Sequence, residues 1–104
     1  MTTEYDCLLT LAAPDHLEED MIDLLLAQED LVSGFSVSAA EGLGSGAQLH
    51  TTLEKVRGRS RRRMFTVLIR QEHVATLIDR IKVQVANPEV VWWTTALTGC
   101  GRLA

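Results

Sequence analysis

The spacing of apolar residues changes period several times along the chain, and each change marks an element. From Tyr5 to Leu11, Tyr5, Cys7, Leu9 and Leu11 fall on alternate positions with Leu8 on the opposite side, which predicts a strand. In the following "PDHLEEDMIDLLLAQ", Leu17, Met21, Leu24 and Leu25 stand at i, i+4, i+7 and i+8, one side of a helix. Asp15 with Glu18 three residues later reads as a capping box, and acids in a first turn suit the helix dipole. After Gly34, "FSVSA" alternates Phe35, Val37 and Ala39 with serines, a second strand. "RMFTVLI" (Arg63 to Ile69) is a third, with Phe65, Val67 and Ile69 on one face and Met64 and Leu68 on the other. Val74, Leu77, Ile78, Ile81 and Val85 form a second helical stripe that Asn87-Pro88 stops, and "VVWWTTAL" is a fourth strand.

The order β-α-β-β-α-β has a preferred solution. Two right-handed crossovers interleave into an α+β, ferredoxin-like four-stranded antiparallel sheet with both helices on one face and a long loop between strands two and three. The other face is left bare, and the third and fourth strands carry apolar residues on both sides. Trp92 and Trp93 are adjacent, so one points under the helices and the other has no helix to cover it. An uncovered apolar face on so small a chain predicts a homo-oligomer of closed symmetry. The competing reading has the 41–62 loop or the C-terminal tail fold over that face.

Composition narrows the class. At 104 residues the chain reads as one domain over 1–104, with a single sheet and one helical layer. Hydrophobic content of 46% and charged content of 23% suit a globular protein, no apolar run suggests a membrane span, and "MTTEYD" is unlike a secretory signal. Cys7 and Cys100 have no motif spacing, so a reducing cytoplasm is the expected location.

Charge is unevenly placed. Lys55, Arg57, Arg59, Arg61, Arg62 and Arg63 put six of the ten basic residues into one short window, while all fourteen acids lie outside it. This window closes the 41–62 loop, which opens with Gly42, Gly44 and Gly46 on alternate positions. A loop that long in a compact domain is usually functional or a linker, and alternate glycines serve a flexible linker as well as an anion nest. Clustered cations need negative partners. Nucleic acid fits poorly, since no helix carries a basic stripe and the loop has no aromatic for stacking. Two readings remain: the arginines meet the acidic first helix (Glu18, Glu19, Asp20, Asp23), or Lys55, Arg57, Arg59 and Arg61 belong to a switch loop that engages an anionic effector or an acidic partner.

"GFSVSAAEGLGSG", leading into that loop, resembles the corresponding stretch of PII signal-transduction proteins. "LLTLAAPDHLEEDMIDLLL", "SGFSVS", "VRGRSRRRMF" and the "VVWW…GCGRL" ending together resemble a small PII-like family, some of whose relatives are associated with heavy-metal efflux. The resemblance implies a homotrimer that binds an adenine nucleotide between subunits. It also implies a T-loop, here 41–62, acting on a partner such as a membrane transporter or efflux pump. By that likeness Gly42 and Gly44 border the phosphates, Arg62 faces them, and Arg102 stands in for the C-terminal arginines. The chain departs from the pattern at "ANPEVV", where PII proteins carry Gly-Asp-Gly-Lys, and at Gly46, which stands where the family has a nucleotide-touching Gln.

Metal and catalytic chemistry have thinner support. His16, His50 and His73 show no helical zinc spacing, and there is no Cys-x-x-Cys. In a trimer His50 can meet its symmetry mates or Cys100 of a neighbour and hold a divalent metal, a second reading that resembles CutA-type proteins. A third is an interaction module without a small ligand. No nucleophile–base pair or cofactor fingerprint is present, so a non-enzymatic protein is expected.

Overall fold

A computed structural model describes residues 4–43, 49 and 51–104, the side chains of Val56 and Arg57 excepted. Among the described residues there are four strands: β1 (Cys7–Pro14), β2 (Phe35–Gly42), β3 (Ser60–Ile69) and β4 (Val91–Ala96). Three helices accompany them: α1 (Glu18–Leu26), α2 (Thr52–Arg57) and α3 (Gln71–Gln84). The sheet order is β2-β3-β1-β4 and every pairing is antiparallel, which is the ferredoxin-like arrangement expected from the element order.

Alternation decides which side chains are covered. Cys7, Leu9, Leu11 and Ala13 of β1 and Phe65, Val67 and Ile69 of β3 are buried with Met21, Leu24 and Leu25 of α1 and Val74, Leu77, Ile78 and Ile81 of α3. The intervening residues Leu8, Ala12, Met64 and Leu68 lie on the opposite face and are partly or largely exposed. The register aligns Leu11 with Trp92 and Thr10 with Trp93, so the two indoles occupy opposite faces. Contrary to expectation, the helix-side indole is not packed away. Trp92 and Trp93 are 43% and 44% exposed, because β4 is an edge strand with no neighbour on its outer margin.

Two local expectations are corrected. Asp15 and Glu18 form no capping box: Pro14 leads into a single 3-10 turn (Asp15–Leu17), α1 starts at Glu18, and neither turn nor helix has a side-chain cap. The connection between β2 and β3 is also shorter than 41–62. β2 continues to Gly42, and β3 begins at Ser60, so Arg61 and Arg62 join Arg63 in the strand. The Arg-rich stretch stays extended because its side chains find partners on both faces of the strand. Within the connection, Thr51 caps α2 in a reciprocal box with Glu54, and Gly58 ends it at φ 67°, the left-handed conformation that favours glycine. Gly44 and His50 lie outside the described residues, as does the side chain of Arg57.

Candidate functional site: the basic end of the sheet

Side chains alternate along β3, so its three consecutive arginines divide between the faces. Arg61 and Arg63 point to the helix side, where Arg61 Nε lies 3.2 Å from Asp15 Oδ2 and Arg63 Nε 3.2 Å from Glu18 Oε1. Arg59 meets Glu41 of β2 at 2.8 Å. Three cations of the window are thus paired within the chain, but only Arg63 meets one of the first-helix acids named from the sequence, Glu18; Arg61 takes Asp15 of the preceding turn and Arg59 takes Glu41 of β2. These pairs are partly exposed and each contributes at most about 1 kcal/mol, enough to orient the arm that β2 and β3 form.

Arg62 has the opposite orientation. It lies half-buried on the bare face, and its Nη1 donates to the Glu89 carbonyl at 2.9 Å. Gly42, opposite Ser60 in the register, makes room for it: a Cβ at Gly42 would come within 3.0 Å of Arg62 Nε and Ser60 Oγ. The structure therefore brings Gly42 and Arg62 together, beside the Asn87–Glu89 turn in which Asn87 Oδ1 accepts the Glu89 N–H at 2.8 Å.

Arg102 is elsewhere. The C-terminal tail returns toward the bare face, and Arg102 lines a cavity of about 490 Å³ with Leu8, Thr66, Leu68 and the hydrogen-bonded pair Tyr5–Ser33. Thr66 and Leu68 lie four and six positions along β3 from Arg62, roughly 13–20 Å at strand rise. Within one chain Arg62 and Arg102 are separate. Lys55 is exposed on α2, and Cys100 is half-exposed in the tail. Among the described residues no group of three or more His, Cys, Asp or Glu side chains is placed to hold a metal ion.

Sequence reasoning missed Glu54, whose carboxylate organises the arm. It is 2% exposed, accepts the Thr51 N–H at 3.1 Å through Oε1 and accepts the Arg61 N–H at 2.5 Å through Oε2. One carboxylate thus caps α2 and anchors it to β3. The signal was present as Thr51-x-x-Glu54 followed by Gly58, a capping box and then a helix stop.

The family model of DUF3240, proteins of unknown function, matches residues 2–104. The chain belongs to this family. A DUF3240 family protein from Shewanella baltica superposes with a TM-score of 0.77 at 21% identity, covering 100% of both chains. A point mutant of CutA1 from Pyrococcus horikoshii gives 0.69 at 10% identity over 91% of this chain and 86% of that one. A candidate PII-like signaling protein from Thermus thermophilus gives 0.59 at 17% identity over 88% and 86%. No curated protein is similar to the chain in sequence. The DUF3240 chain thus has the ferredoxin-like fold that it shares with these CutA1 and PII-like neighbours. Among the described residues no helix is long and apolar enough to cross a membrane.

Proposed function

We propose that this DUF3240 protein is a cytoplasmic, non-catalytic regulator of the PII type. Three copies close around the bare side of the sheet. An anionic effector, an adenine nucleotide in the first instance, binds at the seam against Arg62 and Gly42, and the arm beyond Gly42 carries the response to a partner. A transporter or efflux pump is the partner class the family resemblance suggests.

The observation that carries this reading is the apolar surface left exposed on that face among the described residues. Trp93 is 44% and Leu68 39% exposed there, beside Leu8, Ala12 and Met64, and apolar surface of that kind on a small chain favours association. Arg62 stands at one end of this face and Arg102 toward the other. A clamp that uses both guanidinium groups on one polyphosphate draws them from two copies, which would make binding depend on assembly. Calorimetric titration with ATP, ADP and AMP tests the effector: heat that disappears in Arg62→Ala supports it, and silence with every nucleotide overturns it. Heat from a divalent metal alone, lost in His50→Ala, would favour the CutA-like metal reading instead.

A further inference from the structure

A second site lies on the helix side, sharing only the Asn87–Glu89 turn with the surroundings of Arg62. The end of α3 and the edge strand β4 leave between them a cleft of about 360 Å³, walled by Ile78, Ile81, Val85, Val90 and the indole of Trp92, with Lys82 and Asn87 at its polar margin. That volume falls in the range of small-molecule sites, which are mainly apolar with a few polar groups that fix orientation. Trp92 offers a flat surface for an aromatic ring, and 43% of it remains exposed. Lys82 supplies the charge. Arg59, Arg61, Arg63, Arg70 and Arg80 each lie within ion-pair distance of a carboxylate, whereas Lys82 has no such partner among the described residues. In a chain with fourteen acids against ten bases, an exposed cation left beside an apolar cleft selects for an anion.

We infer that this cleft binds a small aromatic carboxylate. The ring stacks on Trp92 and packs against Ile81 and Val85, and the carboxylate meets the Lys82 ammonium. The site is built from one chain, so it goes beyond the seam proposed above and does not depend on it.

The two tryptophans make the test direct, since Trp93 lies on the opposite face of β4. In Trp93→Phe protein, emission reports Trp92 alone. Titration with 3-phenylpropionate should change that emission saturably, and the neutral 3-phenylpropanamide should bind about threefold to fivefold more weakly, the factor an exposed ion pair supplies. Lys82→Gln should bring acid and amide to equal affinity while leaving amide binding unchanged. Trp92→Phe protein, reporting Trp93, should not respond. Three results would overturn the inference: no saturable change up to the solubility limit, equal affinity for acid and amide in the protein with Lys82 intact, or a Trp92 signal that follows protein concentration. The last would mean that a second copy fills the cleft.

Discussion

Glu54→Gln isolates the contact that holds the arm to the sheet. The carboxylate faces two backbone donors, the N–H groups of Thr51 and Arg61, at 3.1 and 2.5 Å. Glutamine has nearly the same shape but only one acceptor oxygen, so one part-buried N–H must confront the amide NH2. Leaving a buried donor unsatisfied costs about 1–3 kcal/mol. A six-residue helix has too few internal bonds to persist alone, so the cost should fall on opening of α2 and not on global unfolding. At about 1.4 kcal/mol per factor of ten, that range corresponds to roughly fivefold to 150-fold in the opening equilibrium. Amide hydrogen exchange at fixed pH should therefore accelerate by that factor at Gly58, Arg59 and Arg61, while Leu9 and Phe65 of the buried sheet keep their rates. An unaffected Arg61 amide would refute this, because the latch would then hold nothing. Core amides that accelerate in step would refute it equally, since α2 would then be part of the global folding unit.

Three further outcomes follow from single contacts. Asp6 Oδ1 accepts the Gln71 N–H at 2.7 Å, a tertiary cap on α3 whose own N-cap residue, Arg70, supplies no side-chain bond; Asp6→Ala should cost about 0.5–2 kcal/mol, read as a lower thermal midpoint. Arg80 donates to Asp30 Oδ1 at 2.9 Å, and this hydrogen bond lowers the Asp30 pKa from its ordinary 3.8. Because the folded value is depressed, the bond's contribution is present above the ordinary value and lost as pH falls through the folded one; an NMR titration of Asp30 should shift back toward 3.8 in Arg80→Ala. Burial, with the Asp6 charge second, raises the Cys7 pKa above its ordinary 9.0, so a maleimide should label half-exposed Cys100 in native protein and reach Cys7 only on unfolding.

Much of the fold was legible because burial imposes periods that composition cannot disguise. Leu9, Leu11, Phe65 and Val67 keep a two-residue repeat, and Leu77, Ile78 and Ile81 a helical one, since each must meet the same core. The basic window was harder to read. Arg61 and Arg62 look like solvated loop in composition, but a strand that outruns its helical cover accepts charge on both faces, and the acids Asp15 and Glu18 meet Arg61 and Arg63 on one of them. Those same two acids mimicked a capping box. Proline at 14 and the tight turn after it directed them to the sheet instead. Gly42 and Arg62, grouped through the family resemblance as phosphate-facing residues, lie side by side because the Arg62 side chain passes close over Gly42. Arg102 was grouped with them through the family resemblance, and only the tail's path in three dimensions could separate it.

Sedimentation at successive dilutions tests the proposed assembly most directly. A closed trimer requires a particle three times the 11.5 kDa chain mass, with Trp93 emission shifting to longer wavelength only where dilution separates the copies. A particle of 11.5 kDa at every concentration, with Trp93 emission unchanged throughout, would contradict it.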